Sequence, residues 1–242
     1  MVNESRRVAL QPAYVLHQRP FRNTSLLLEL LTPGHGRVGL VARGVRTQRS
    51  RLRPLLQAFR PLLVSWSGRG ELGTLTGVEG AERAPSLQGR ALLAGFYLNE
   101  LLVRLLGRHD PHADLFTAYH DALQALAGSW GEAALRIFEK RLLQALGYGL
   151  VLEHEVERGR ALEPEALYCY RLEHGPVPAK AGEAGLTVHG ATLLALARER
   201  LESARALREA KALTRAALGL YLGDRPLKSR DLFVPPAADA GR

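Results

Sequence analysis

The sequence is most informative first in what it lacks. Among 242 residues there is one cysteine, Cys169. A single thiol builds neither an intrachain disulfide nor a thiolate zinc site, and this usage fits a reducing compartment such as the cytoplasm. No apolar run approaches the roughly 20 residues that a membrane helix requires. The opening Met-Val-Asn-Glu-Ser-Arg-Arg leads into no long apolar stretch, so no secretory signal is expected. Motifs of catalysis are also missing. Gly68-Arg69-Gly70 and Gly147-Tyr148-Gly149 lack the Gly-Lys-Ser/Thr of a phosphate-binding loop. There is no Gly-x-Ser-x-Gly elbow and no His-Glu-x-x-His pair. Nothing argues for an enzyme.

Acid is scarce where base is abundant. Residues 1–80 hold 12 Arg, no Lys and 4 Glu, a net +8, whereas residues 81–242 hold 21 basic and 20 acidic groups. Nearly all of the formal +9 therefore belongs to the first third. Such asymmetry points to a polyanionic partner, and a surface made basic only for solubility would not require clustering. The densest run is Arg37, Arg43, Arg46, Arg49, Arg51 and Arg53, with no acid from 37 to 53. Gly44, Ser50 and Pro54 mark much of it as a loop, expected to be mobile and to track phosphates. The Arg-for-Lys bias also suits a GC-rich genome, but its consequence is physical: guanidinium groups fork onto phosphates and stack on bases. Tyr14, Phe59 and Trp66 are read as core. Phe21, in the turn-like Arg19-Pro20-Phe21-Arg22, is the aromatic best placed to meet a base. The candidate nucleic-acid contacts are thus Arg19, Phe21, Arg22 and the six arginines of the run. His109-Asp110-Pro111-His112-Ala113-Asp114 has metal-like composition, but Asp110-Pro111 reads as a helix cap and first turn, not a metal site.

Periodicity divides the chain. Val8 to His17, Thr24 to Thr32, Arg37 to Ala42, Phe59 to Trp66 and Leu72 to Val78 are short strand-like runs separated by Gly and Pro, with Pro33-Gly34-His35-Gly36 a strong turn. Five strands in about 75 residues are too few for a sandwich, and a closed five-stranded OB-type barrel removes the open edges. Beyond Ala84-Pro85 the period becomes helical. Helices are expected over Gln88 to Leu106, from Asp110 to about Ala127, over Glu132 to Leu146, and over Ala191 to Leu222 with a break near Glu202-Ser203. Residues 150–188, with Pro164, Pro176 and Pro178, read as an irregular insert with at most one short hairpin. The expected fold is α+β: a barrel over 1–82, a mainly helical domain over 83–234, and a flexible tail over 235–242.

Several segments, taken in order, resemble the RecO family of bacterial recombination mediators. They are Tyr14-Val15-Leu16-His17-x-Arg19-Pro20-Phe21, Gly36-Arg37-x-x-Leu40-Val41-Ala42-Arg43-Gly44, Leu56-Gln57-x-Phe59-x-Pro61-Leu62-Leu63 and Gly68-Arg69-Gly70-Glu71. Then come Tyr97-x-Asn99-Glu100-Leu101-Leu102, Leu135-Arg136-x-Phe138-Glu139, Leu146-Gly147-Tyr148-Gly149 and Leu222-Gly223-x-Arg225-Pro226-Leu227-Lys228-Ser229-Arg230-x-Leu232-Phe233.

The resemblance implies an N-terminal OB-fold, a helical C-terminal domain and no nucleotide hydrolysis, in a cytoplasmic, nucleoid-associated protein. It further implies binding of single- and double-stranded DNA, annealing of complementary strands, and help in loading RecA onto strands coated by single-stranded DNA-binding protein (SSB). RecR, and in many bacteria RecF, are the implied partners, together with the acidic, apolar SSB tail. For that tail the Leu-Arg-x-Phe-Glu match points to Arg136, with Leu135 and Phe138 as pocket wall; the alternative is that Arg136 pairs with an acid on its own helix. Some family members carry a four-cysteine zinc site in the insert. With only Cys169 here, no zinc or other cofactor is expected. The competing reading is a general OB-fold nucleic-acid-binding protein without mediator activity.

Overall fold

The computed structural model describes residues 6–68, 70–128, 131–180 and 185–231. Five strands, β1 (Arg6–Phe21), β2 (Ser25–Thr32), β3 (Gly36–Ala42), β4 (Leu62–Gly68) and β5 (Leu72–Gly80), close in the order β1-β2-β3-β5-β4. This is an OB-like barrel. β1 is long because it serves two neighbours: Tyr14 to Phe21 pair with β2, and Arg6 to Ala13 pair with β4. The parallel pairing of Gly39–Val41 with Leu72–Thr74 closes the barrel. Glycine is required at that seam, since a Cβ on Gly73 would stand 2.8 Å from Leu40 Cδ2.

Alternation along the strands fixes what faces inward. Ala13, Val15, Leu28, Leu30, Val38, Leu40, Leu62, Val64 and Trp66 fill the barrel. The opposite faces of β1 and β2 are buried as well: Tyr14, Leu16, Leu27 and Leu31 are core residues outside the barrel interior. That double burial explains why β2 is a nearly continuous run of leucines. Helices α1 (Gly89–Leu105) and α2 (Ala113–Gly128) pack on β1 and β2.

A buried hydrogen-bonded chain fixes this packing. The Asn99 amide donates to the Leu16 carbonyl at 2.9 Å and accepts from the Tyr119 hydroxyl at 2.5 Å. Tyr14 meets His120 Nδ1 at 2.7 Å. Beside Asn99, the Glu100 carboxylate accepts from the backbone N–H groups of Lys228 (2.9 Å) and Ser229 (2.8 Å) and from the Ser229 hydroxyl (2.6 Å). Burial alone would raise the Glu100 pKa, but the Ser229 and Lys228 bonds outweigh it and hold the carboxyl below its usual range. This carboxylate caps the short helix α6 (Lys228–Asp231).

The chain divides into two compact units, one running to Gly128 and taking up the chain again from Leu227, the other lying between them in sequence. By packing, the division falls after α2, because α1 and α2 bury their apolar faces on the barrel.

The second unit contains α3 (Glu132–Ala145), α4 (Gly190–Ala197) and α5 (Ala204–Leu222), with a sheet of β6 (Leu167–Arg171), β7 (Gly175–Pro178) and β8 (Thr187–His189) in the order β7-β6-β8. The expectation of at most one hairpin in the insert is thus corrected: it forms a three-stranded sheet. Its prolines, Pro176 and Pro178, lie on the edge strand β7, where a missing N–H is tolerated. Tyr168, Tyr170 and Val188 pack with Leu193, Leu196 and Leu213. The expected break near Glu202-Ser203 is the start of α5, where the Ser203 hydroxyl accepts from the Ala206 N–H at 3.1 Å. The helix expected to open at Asp110 begins instead at Ala113. Asp110 lies across Gly36, whose Cβ position would be 2.0 Å from the Asp110 carbonyl oxygen. The flexible tail expected over 235–242 lies outside the described residues.

Replacing Asn99 with alanine removes the buried bonds to the Leu16 carbonyl and from the Tyr119 hydroxyl, which should cost about 2–3 kcal/mol of unfolding free energy in a urea titration. A loss under about 0.5 kcal/mol, the range of an ordinary surface change, would show that Asn99 does not fasten the helices to the barrel.

Candidate nucleic-acid interface

The loop joining β3 to β4, residues 43–61, is the longest connection in the barrel. It was expected to be mobile, yet two apolar side chains pin it: Val45 and Leu56 are fully buried in the barrel core, with Leu52 and Leu55 packed beside them. The Arg46 N–H donates to the Thr24 carbonyl at 2.8 Å, so the loop rests on the β1–β2 turn. Short internal bonds, Thr47 Oγ1 to the Gly44 carbonyl at 2.8 Å and Gln57 Nε2 to the Arg53 carbonyl at 2.9 Å, stiffen it further. With apolar residues turned in, Arg43, Arg46, Arg49, Arg51 and Arg53 are all exposed.

Arginines from two parts of the chain line one cavity where this loop touches the barrel. Arg19 at the end of β1 joins Arg46 and Arg53 around a cavity of about 540 Å³, completed by Gln18, Pro20, Leu26 and Gln57. No acid is among these residues, and none occurs in 5–28 or 37–53. Arg46 Nη1 also reaches the carbonyls of Arg22 (3.3 Å) and Asn23 (3.4 Å), tying loop to turn. At the turn Arg22 takes positive φ (53°), and its guanidinium lies 5.3 Å from the Phe21 ring centroid. Phe21 is half-buried and supports a cation there. The arrangement suits an anionic backbone: several forked donors, two amide side chains and no competing carboxylate.

Arg37 does not join this cluster. Its Nη1 donates to the Val103 carbonyl at 2.9 Å and stands 3.5 Å from Glu29 Oε2. Burial lowers its pKa, an effect that Glu29 partly opposes. Arg108 also binds Glu29 and lies 3.4 Å from Glu71. Arg37, counted among the candidate contacts, is thus placed apart from the other arginines and paired within the fold. The same contacts close the outer face of β2, where Leu27, Glu29 and Leu31 are buried. OB folds commonly bind oligomers across this sheet face; here the cations collect at the turn-and-loop end. A larger cavity of about 640 Å³ lies toward the β2–β3 turn, lined by Trp66, His35, His109, Glu71 and five glycines, with no arginine among its described residues.

In the second unit, Leu135, Arg136 and Phe138 are all buried. Arg136 Nη2 pairs with Glu139 at 2.9 Å, one helical turn on, and Glu139 also accepts from the Thr214 hydroxyl. The same-helix pairing weighed as the alternative for Arg136 is therefore present. Its Nε and Nη1 are nevertheless buried without a hydrogen-bond acceptor. Among the described residues, no group of three or more His, Cys, Asp or Glu side chains is placed to hold a metal ion. Cys169 is buried and free. No helix among the described residues is long and apolar enough to cross a membrane.

Sequence reasoning missed Gln18, Leu26 and Gln57 as pocket walls. Their only sequence signal was adjacency to the arginines, because the pocket forms between segments far apart in the chain. Changing Arg19, Arg46 and Arg53 together to alanine should flatten the slope of log K against log[salt] for a single-stranded oligonucleotide by about 2, with little loss of thermal stability. Arg37→Ala should do the reverse, lowering the melting temperature while leaving the slope unchanged. An equal slope change for both variants would remove the distinction between them.

The family model described as "Recombination protein O N terminal" matches residues 7–83, and "Recombination protein O C terminal" matches residues 86–231. The chain is 53% identical to the DNA repair protein RecO of Methylococcus capsulatus, across 94% of this chain and 93% of that protein. It is 54% identical to the DNA repair protein RecO of Alkalilimnicola ehrlichii, across 94% and 91%, and 47% identical to that of Coxiella burnetii strain RSA 493, across 95% and 99%. With both domain models and near full-length relatives matched, the chain belongs to the RecO family of DNA repair proteins.

Proposed function

We propose that this protein is a strand-annealing recombination mediator that binds single- and double-stranded DNA through the Arg19–Arg46–Arg53 pocket and the exposed arginines around it. The observation that carries this reading is an open cavity lined by three arginines, one from β1 and two from the 43–61 loop, and by no acid. Phosphates of any sequence fit such a site, and base specificity is not needed. Neutralising phosphates also lowers the repulsion between two strands being paired, so annealing requires no catalytic residue. In this reading the barrel holds DNA while the helical part, within residues 83–234, meets RecR and the SSB tail, and in some settings RecF, so that RecA is loaded onto SSB-coated strands.

Arg136 is the residue proposed to meet the tail. A buried guanidinium with two nitrogens lacking acceptors carries a desolvation cost that an entering carboxylate would relieve. Leu135 and Phe138 lie on the same helix as apolar neighbours for the tail's hydrophobic side chains.

The test is annealing of complementary strands precoated with SSB, comparing intact and tail-deleted SSB. Annealing should depend on the tail, and Arg136→Ala should lower it with intact SSB while leaving annealing of naked strands unchanged. Tight binding to naked DNA without annealing of coated strands would instead identify a general nucleic-acid binder.

A further inference from the structure

The near-neutral sum over residues 81–242 conceals a second local excess of positive charge. Helix α5 carries Arg205, Arg208, Lys211 and Arg215 against one acid, Glu209. Two of these charges are already engaged. Lys211 Nζ lies 2.5 Å from Glu132. Glu209 is turned to the start of α4, where it accepts from the His189 N–H at 3.0 Å and the Thr192 hydroxyl at 2.6 Å and pairs with His189 Nδ1 at 2.7 Å. Arg205, Arg208 and Arg215 are all exposed, and of the three Arg215 lies near enough to Glu132 to help lower its pKa.

These three share one stripe of the helix with Ala212 and Gly219, since steps of three and four residues return to the same face. Ala212 and Gly219 are exposed too, while Ala206, Ala210, Leu213, Ala217 and Leu218 line the buried side. Glu202, the nearest exposed acid in sequence, precedes the N-cap Ser203. From Arg205 to Arg215 the axial distance is about 15 Å at 1.5 Å per residue. That matches a run of about four stacked nucleotides at about 3.4 Å each. Between the arginines the small side chain of Ala212 leaves a backbone phosphate room to approach.

We propose that the Arg205–Arg208–Arg215 stripe is a second DNA-binding surface, which holds the complementary strand while the barrel holds the first. The inference rests on the annealing reading above and adds to it the site of the second strand. Annealing brings two polyanions together, and a protein that tethers both raises the effective concentration of each for the other. The stripe's chemistry favours nucleic acid over the other anionic partners. An acidic peptide tail or a membrane surface is bound through apolar anchors beside the charges; between its arginines this stripe offers only Ala212, and the exposed Leu220 lies more than a turn beyond Arg215.

The experiment uses the full chain in three forms: wild type, Arg205→Gln/Arg208→Gln/Arg215→Gln, and the same three positions changed to lysine. Stoichiometry is measured with a short non-complementary oligonucleotide at low salt, and annealing with naked complementary strands. Wild type should bind two oligonucleotides per chain. The glutamine variant should bind one and anneal at least about 10-fold more slowly, with its melting temperature kept, and the lysine variant should retain both properties. Unchanged stoichiometry and annealing in the glutamine variant would overturn the proposal. So would a loss confined to polyglutamate or to anionic phosphatidylserine vesicles with DNA binding intact. If the wild-type chain does not anneal at all, the mediator reading fails, while the stoichiometry still decides whether the stripe binds DNA.

Discussion

A buried carboxylate on the outer face of β2 governs much of the first unit. Glu29 is about nine-tenths buried, and a charge withdrawn from water in this way must be paired. Arg37 comes to it from β3 and Arg108 from the segment after α1. Those two contacts remove Arg37 from the surface and tether the end of α1. They also help to hold α1 and α2 against Leu27 and Leu31. The sheet face on which many OB folds lay their ligands is then occupied by the protein's own helices. What stays open is the end where the β1–β2 turn meets the anchored loop, and the free arginines are there.

The parts of this arrangement that depend on local composition were legible in the sequence. An acid-free run of arginines interrupted by Gly, Ser and Pro is a charged loop whatever the tertiary structure, and five short apolar runs bounded by turn residues close most economically as a barrel. Pairings that depend on register were not legible. Arg37 belongs by sequence to the cationic run, and only the hairpin register, with Glu29 opposite Gly39 and Leu31 opposite Arg37, makes it a diagonal neighbour of Glu29. Val45 and Leu56 anchor the loop through burial in the barrel core, which no local pattern in the sequence marks. In the insert, Pro176 and Pro178 argued against a sheet because edge position is a tertiary fact. For Arg136 both alternatives were visible beforehand, and the structure contains the pairing with Glu139. Summing charge over residues 81–242 hid the polarity of α5, where the acid turns inward and three arginines turn out.

The Asn99-Glu100 pair links local sequence to long-range architecture most compactly. Adjacent residues on one helix direct one side chain to β1 and α2 and the other to the returning segment at Ser229. Both side chains are polar, and each bonds to backbone or hydroxyl groups of a distant segment. The segment at Lys228-Ser229 is thereby stitched to α1, and α1 in turn to the barrel.

The central claim is that DNA engages the turn-and-loop end of the barrel, and amide hydrogen exchange with and without a single-stranded oligonucleotide tests it directly. The account predicts slowed exchange in residues 19–24 and 43–57 on DNA addition, with β2 residues 27–31 unchanged because the protein's own helices already cover them. Protection centred instead on residues 33–36 and 70–73, around the larger cavity, with none at 43–57, would contradict it.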